Sequence, residues 1–176
     1  MSLIWLMQFW LFWLTACPVG DAITLARECY ILPTPAGRQF FYLSSRPVHQ
    51  PTETIIARHT SPFSPPLCRY RTRPVFKLRS GDIDGDGREE LIAGVTRPDL
   101  GHQRRIYVFT LDDRLMRPRW FGTRLSFHLD WFDTIPVGSR VGLTTREHGR
   151  KFRYRIVYRW YYWGFRTVRI QKEDQP

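Results

Sequence analysis

A short acidic segment near the middle of the chain constrains the fold more than any other feature. Residues 80–94 read SGDIDGDGREELIAG, so three aspartates stand two residues apart and glycines follow the second and the third. Glycine at these places permits the positive φ angles that a tight loop needs. The residues after the loop are apolar and partly β-branched, which is typical of a strand. The segment therefore predicts a tight acidic loop between two strands.

The spacing of the carboxylates suits a hard cation, because Ca²⁺ takes roughly six to eight oxygen ligands. A helical EF-hand loop that begins at Asp82 would need a bidentate glutamate at its twelfth position, where the chain has Ala93. Glu90 stands at the ninth position and leads directly into the apolar residues. The EF-hand is therefore excluded. A solvated acidic turn without a metal stays open as the alternative.

The acidic segment resembles the calcium loop of FG-GAP/VCBS repeats, which are the blades of integrin-type β-propellers. The similarity covers residues 76–96 and is weak elsewhere. It implies a structural rather than catalytic Ca²⁺ site with five ligands, which would be the side chains of Asp82, Asp84, Asp86 and Glu90 and the backbone carbonyl of Arg88. That family often has aspartate at the last position, so Glu90 is a departure from its pattern.

An internal repeat favours the same fold. A shift of about 51 residues places Phe76-Lys77-Leu78 over Phe127-His128-Leu129 and Asp82 over Asp133. A unit of this length suits a four-stranded propeller blade. The second unit keeps only the first carboxylate of the loop, which predicts one cation site and not two. Chance similarity between two β-rich segments is the alternative.

The strand pattern predicts an all-β fold made of about two propeller-like antiparallel units. The predicted organisation is a leader at 1–17, an extended lead-in with short strands at 18–67, a β unit with the calcium loop at 68–121, a second β unit without it at 122–171, and a tail at 172–176. Such a chain is too short for a closed seven-bladed ring. An open stack and a sandwich both stay open, and exposed sheet edges favour a homo-oligomer or a partner protein.

The clearest strand signal lies at Lys151–Trp160, where large apolar residues alternate with arginines. A period of two places the two sets on opposite faces of a sheet. An ordinary core under a solvated basic face is the plainer interpretation, and binding of an anionic partner is the functional one. Single-stranded nucleic acid is disfavoured, because its bases would need aromatic platforms on the same face as the arginines.

The N-terminus predicts export. Residues 1–16 are almost wholly apolar and end in the small residues before Cys17, which is typical of a secretory signal peptide. The ending LTAC resembles a bacterial lipobox, which implies lipidation of Cys17. The usual basic residue before the apolar run is absent, so an uncleaved anchor over Met1–Gly20 is the alternative. Both interpretations predict a bacterial protein attached to a membrane of the cell envelope, either at the outer membrane or at the periplasmic face.

The two remaining cysteines, Cys29 and Cys68, form an even pair. An oxidising compartment favours a disulfide between them, and two buried free thiols are the alternative. No spacing of cysteine and histidine predicts a zinc site.

Composition and motifs bound the function. The formal net charge is +11, and arginine supplies most of the positive charge. Such a surface attracts polyanions, and outside the cytoplasm these are anionic lipids, lipopolysaccharide and acidic polysaccharides. No nucleophile elbow, zinc-protease motif or phosphate loop is present in the sequence. The sequence therefore predicts a non-catalytic binding, adhesion or assembly module, with a polyanion binder and an envelope hydrolase as alternatives.

Overall fold

The computed structural model describes residues 26–34, 37–44, 53–112, 114–122 and 125–173. Within these ranges the chain is all-β, with a single turn of 3-10 helix at Pro98–Leu100. The strands are β1 (Ala26–Thr34), β2 (Gly37–Ser44), β3 (Thr54–His59), β4 (Cys68–Thr72), β5 (Val75–Gly81), β6 (Glu90–Arg97), β7 (Gln103–Leu111), β8 (Met116–Trp120), β9 (His128–Val137), β10 (Arg140–His148), β11 (Arg153–Tyr161) and β12 (Gly164–Glu173). The predicted all-β class is confirmed. No helix in the described ranges is long and apolar enough to cross a membrane.

The strands form three four-stranded antiparallel sheets in chain order. Sheet 1 contains β1 to β4, sheet 2 contains β5 to β8, and sheet 3 contains β9 to β12. Each sheet is a meander, because every strand pairs with its neighbour in the sequence. None of the sheets closes into a barrel. The first strands of successive sheets touch, β1 with β5 and β5 with β9, so the fold is an open series of β units.

Sheet 1 is the part of the fold that the sequence did not predict as a sheet. The segment predicted as an extended lead-in with short strands, 18–67, supplies β1 to β3, and β4, predicted to belong to the unit with the calcium loop, completes this sheet instead. Pro33 sits in β1 and pairs with Arg38. Proline is tolerated there because β1 is an edge strand, where a missing amide donor breaks no ladder. Pro33 therefore lies within a strand and does not end it.

Sheet 2 lies between the other two sheets and is buried on both faces. Leu91, Ala93 and Val95 of β6 belong to a core cluster shared with sheet 1. Ile92 belongs to a second cluster, shared with sheet 3, which includes Phe132. Successive residues of one strand therefore enter different cores, as the period of two requires.

Strand β11 follows most of the alternation predicted for Lys151–Trp160, although Phe152, expected on the core face, is exposed and Val157, expected on the other face, is buried. Ile156, Tyr158 and Trp160 are buried in the core between sheets 2 and 3, while Arg155 and Arg159 are exposed. The arginines thus lie on the outer face of sheet 3, opposite the core.

The predicted disulfide does not fit the fold, because Cys29 and Cys68 are both free thiols. Cys29 lies in β1 and Cys68 in β4, at opposite edges of sheet 1. Three strand spacings separate them, which is about 14 Å. A disulfide needs Cα atoms within about 7 Å of each other. The sequence could not show this, because the separation follows from the order of strands in a sheet that the sequence did not predict.

Candidate metal site

The acidic loop, residues 82–90, joins the end of β5 to the start of β6, and it contacts β10 of sheet 3. One carboxylate oxygen from each of Asp82, Asp84 and Asp86 lies within 4.8 Å of the others. Gly85 and Gly87 have φ angles of 81° and 83°, which is the left-handed conformation expected from the sequence. Three of the five predicted ligands are therefore brought together in a group that could hold a metal ion.

Backbone amides inside the loop point at the carboxylates. Asp82 accepts hydrogen bonds from the amides of Gly85 at 2.6 Å, Asp86 at 3.2 Å and Gly87 at 3.0 Å. Asp86 accepts another from the amide of Arg88 at 2.8 Å. Aspartate side chains that capture amides two to five residues ahead hold a tight turn in one conformation. The loop is consequently shaped by the same side chains that would bind a cation.

The loop is anchored in the core between sheets 2 and 3. Ile83, between the first two aspartates, is fully buried in that core. The carbonyl of Asp82 accepts a hydrogen bond from the amide of Val141 at 3.0 Å, which ties the loop to β10. A Cβ at Gly85 would lie 2.6 Å from Nε of Arg140, so the Arg140 side chain of β10 lies against the loop, while the positive φ angle favours glycine at this position. An ion bound in this loop would therefore act on the junction of two sheets.

Glu90, the predicted fifth ligand, is not one of the three carboxylates that lie within 4.8 Å of one another. Its side chain is fully buried, and its Oε2 accepts a hydrogen bond from the amide of Ile83 at 3.1 Å. Burial, opposed by that hydrogen bond, raises the pKa of Glu90 to about 7. The structure thus places Glu90 at the base of the loop and not in the group of three carboxylates. Arg88, the predicted backbone ligand, is exposed at the outer end of the loop.

Arg119 of β8 is the site residue that the sequence did not reveal. Its Nη2 lies 2.5 Å from Oδ2 of Asp84, and its Nη1 donates a hydrogen bond to Oε1 of Glu90 at 3.1 Å. Burial acts to raise the pKa of Asp84, but the hydrogen bonds from Arg119 and from the Asp86 amide outweigh it and leave the pKa lowered. The segment MRPRW gives no local signal for this contact, which arises only because β8 pairs with β7 and β7 with β6.

Glu89 adds a carboxylate beside the loop. Among the described residues, its Oε2 is buried and has no hydrogen-bond partner. Burial is the main cause that raises the pKa of Glu89, and the nearby charge of Asp82 raises it further, while Ser80 lowers it through a hydrogen bond. The acidic loop therefore carries more negative charge than the one guanidinium of Arg119 offsets.

The one close acid–histidine pair in the described residues lies on sheet 3. Nδ1 of His148 is 2.7 Å from Oδ1 of Asp130, and His128 stacks on His148 with ring centroids 5.2 Å apart. In the part of the chain that the structure describes, no hydroxyl or thiol hydrogen-bonds to either of these histidines. This arrangement therefore shows no activated nucleophile among the described residues.

Comparison of the chain with protein-family models, curated proteins and solved structures finds no match. The resemblance to FG-GAP/VCBS repeats accordingly stays a prediction. The predicted leader and its lipidation residue, Cys17, lie outside the described residues.

Proposed function

We propose that the protein is a non-catalytic, exported β domain with one structural Ca²⁺ site, attached to a membrane of the cell envelope as a binding, adhesion or assembly module. The observation that carries this proposal is the group of three aspartates, with oxygens within 4.8 Å of one another, at the junction of two sheets. Carboxylates at this spacing repel one another, and a divalent cation among them would replace that repulsion with attraction.

Ca²⁺ is the cation that suits the donor set. All the side chains offered are carboxylates, which are hard oxygen ligands, and the loop backbone adds carbonyl groups. Mg²⁺ demands a near-octahedral arrangement and keeps several waters, whereas Ca²⁺ accepts more oxygen ligands in a less strict geometry. The described group holds no cysteine or histidine, the ligands that zinc prefers.

We further propose that the β unit with the acidic loop is a blade of the FG-GAP/VCBS type. In support, the acidic loop joins the first and second strands of a four-stranded antiparallel meander. Sheet 3 repeats that meander, with a two-residue turn, Gly138 and Ser139, in place of the acidic loop. One cation site for the whole chain remains the expectation.

Thermal unfolding of the full chain, with millimolar Ca²⁺ and then with chelator, tests this function. An ion that binds only the folded state at a hundredfold excess over its Kd adds about 2.7 kcal/mol to the free energy of unfolding. For a domain of this size we expect Ca²⁺ to raise Tm by roughly 5–10 °C. Asp84→Asn should remove most of that rise.

The matched control is Asp99→Asn, since Asp99 also loses ion pairs with arginines when it is neutralised but lies outside the acidic loop. Asp99→Asn should keep the full rise in Tm. No rise in wild type, or an equal rise in Asp84→Asn, would show that the acidic loop is a plain turn.

A further inference from the structure

A cleft with a volume of about 670 Å³ opens beside the acidic loop, at one end of sheet 3. We call it the arginine cleft, because its walls include Arg119, Arg140 and Arg159, with Asp84 as a carboxylate. Arg119 is occupied by its ion pairs with Asp84 and Glu90. Among the described residues, Arg140 and Arg159 have no carboxylate partner, and both are exposed. The cleft thus presents two guanidinium groups to an anion.

An aromatic turn, Tyr161–Trp163, joins β11 to β12, and its first two residues, Tyr161 and Tyr162, line this cleft. Tyr162 is 75% exposed and Trp163 is 90% exposed. The backbone of the turn is tight, since Tyr162 has a φ of 48° and the amide of Trp163 donates a hydrogen bond to the carbonyl of Tyr161 at 2.6 Å. Two large aromatic side chains held in water at a turn contribute little to the core, and they favour contact with another surface.

The outer face of sheet 3 continues the positive charge away from the cleft. Its exposed arginines are Arg146, Arg153, Arg155, Arg159, Arg166 and Arg169. Arg159 lies directly opposite Arg166, and Arg146 lies opposite Arg155, in the ladders of the sheet. Like charges placed opposite each other destabilise a sheet. Glu173 compensates at Arg155, but the described residues give Arg159 and Arg166 no such acid.

We propose that the arginine cleft and the aromatic turn together dock on an anionic phospholipid membrane. Arg140 and Arg159 bind lipid phosphates through their guanidinium forks, and Tyr162 and Trp163 enter the interface between headgroups and acyl chains. Tyrosine and tryptophan favour that depth because one end of each ring system is apolar and the other carries a hydrogen-bond donor.

A membrane fits the arrangement better than a single-stranded nucleic acid. Bases need aromatic rings spread as platforms along a basic groove. Here two of the three most exposed rings, Tyr162 and Trp163, are neighbours in one turn at the end of sheet 3, so they are not spread along a groove. The proposal rests on the proposed membrane attachment only in that the N-terminal segment would bring this surface close to a bilayer.

The test follows Trp163 in the full chain, with chelator present so that Ca²⁺ cannot bridge the acidic loop to lipid. The vesicles contain brominated acyl chains, which quench tryptophan inside the bilayer, and consist of phosphatidylcholine either alone or mixed with phosphatidylglycerol. The signal of Trp163 is the difference between wild type and Trp163→Phe. We expect this signal to be quenched on the anionic vesicles and to be unaffected on phosphatidylcholine alone.

Paired variants separate the proposed surface from general charge and apolarity. Each basic residue near an anionic surface contributes roughly a fivefold factor, so the double variant R140S/R159S should lower docking by about 30-fold and abolish the quenching. R69S/R71S removes the same charge from the exposed face of β4 in sheet 1 and should keep the quenching. Quenching that survives R140S/R159S, or that is equal on both kinds of vesicle, overturns the proposal.

A second pair of variants tests the aromatic turn. Tyr162→Ser should weaken the quenching of Trp163 on anionic vesicles severalfold. Phe63→Ser removes a comparably exposed ring, 77% accessible, from a loop of sheet 1 and should leave the quenching unchanged. An unchanged signal in Tyr162→Ser would contradict insertion of the turn.

Soluble anions distinguish a lipid headgroup from other sources of phosphate. Inorganic phosphate or a single-stranded oligonucleotide replaces the vesicles, and binding is measured by calorimetry. Binding to either one that matches vesicle docking in affinity, and that is lost in R140S/R159S, overturns the membrane assignment. Weak or absent binding of both supports it.

Flotation with phosphatidylcholine vesicles separates this inference from the proposed function, because it depends on the N-terminal segment alone. Chains that do not float on these vesicles but show Trp163 quenching on anionic ones contradict the proposed anchor and support the docking surface. Chains that float without any quenching of Trp163 contradict the docking surface and leave the anchor standing.

Discussion

Asp133 of β9 forms two ion pairs with β5. Its carboxylate lies 3.0 Å from Nζ of Lys77 and 2.6 Å from Nε of Arg79, and the Lys77 ammonium also stands 4.1 Å from the ring centroid of Trp131. The sequence repeat placed Asp133 over the first residue of the acidic loop. The structure places it within β9, opposite Thr144, where its ion pairs with Lys77 and Arg79 connect sheet 3 to sheet 2.

Asp133→Asn should therefore lower the free energy of unfolding at pH 7 by roughly 2 kcal/mol, since hydrogen bonds to charged groups are lost in a partly buried place. Burial acts to raise the pKa of Asp133, but Arg79 and Lys77 outweigh it and hold the pKa well below 3.8. A lowered folded-state pKa gives stability that is full above the unfolded pKa, near 4, and is lost as the pH falls through the folded value.

Urea unfolding of wild type and Asp133→Asn at pH 7 and at pH 3 measures this. The difference in the free energy of unfolding between wild type and Asp133→Asn should be smaller at pH 3 than at pH 7. Asp130→Asn, on the same strand but paired with an exposed histidine, is the control and should cost little at either pH. A difference that stays constant with pH would show that Asp133 acts through packing and not through charge.

The three aspartates of the acidic loop could be predicted as a group, whereas the arginine beside them could not. Asp82, Asp84 and Asp86 come together because a turn brings alternate residues to one side, and that is a local property of the sequence. Arg119 reaches the same loop only through two strand pairings, so no spacing in the sequence announces it. Glu90 as a ligand stays a prediction: it is the first residue of β6, and its buried carboxylate accepts a hydrogen bond from the Ile83 amide.

At the scale of elements, strands with alternating burial were predictable. Lys151–Trp160 corresponds to β11, and the strand after the acidic loop corresponds to β6. Sheet 1 was not predicted as a sheet, because β1 contains Pro33, β3 and β4 are short, and the four strands become recognisable as a sheet only when they pair. β12 is exposed along most of its length, so burial leaves little signal in its sequence.

Gly94 in the middle of β6 is needed for packing of the elements around it. A Cβ at this position would lie 2.6 Å from ring atoms of both Phe132 and Phe76, which meet edge to face over the strand. Gly94→Ala should destabilise the protein by about 1–3 kcal/mol through overpacking. Gly149→Ala is the control, because its Cβ would meet nothing nearer than 3.3 Å.

A double variant shows whether the ring of Phe76 is the cause. In the Phe76→Leu background, Gly94→Ala should cost clearly less than it does in wild type, which is the coupling expected of residues in contact. Chemical unfolding of the four proteins gives the coupling free energy. Additive effects would show that the alanine disturbs the backbone of β6 and not the packing of Phe76.

At the scale of the whole molecule, sheet 2 is the only layer common to both described cores. One hydrophobic cluster joins it to sheet 1, and the other joins it to sheet 3. A structure in which each unit packs on its neighbour resembles a repeat protein, whose terminal unit can open before the rest. The acidic loop lies at the junction of sheets 2 and 3, so a bound ion would stabilise that pair directly and sheet 1 only through sheet 2.

Substitutions that weaken one core at a time test whether sheet 1 can open before sheets 2 and 3. Phe41→Ala removes a fully buried ring from the core of sheets 1 and 2 and should cost about 3–5 kcal/mol. Leu143→Ala should cost about 2–5 kcal/mol in the other core. The free thiols supply the probe: with Cys17 and Cys29 replaced by serine, modification of half-buried Cys68 reports the opening of sheet 1.

Tryptophan fluorescence reports the other two sheets, since Trp120 lies in sheet 2 and Trp131 and Trp160 lie in sheet 3. In Phe41→Ala, thiol modification should occur at lower urea than the fluorescence change, because sheet 1 then opens alone. In Leu143→Ala the fluorescence change should come no later than the thiol reaction, since loss of sheet 3 exposes the sheet on which sheet 1 depends. If the thiol reaction and the fluorescence change coincide in both variants, all three sheets unfold as one cooperative unit. That outcome would contradict separate opening of sheet 1.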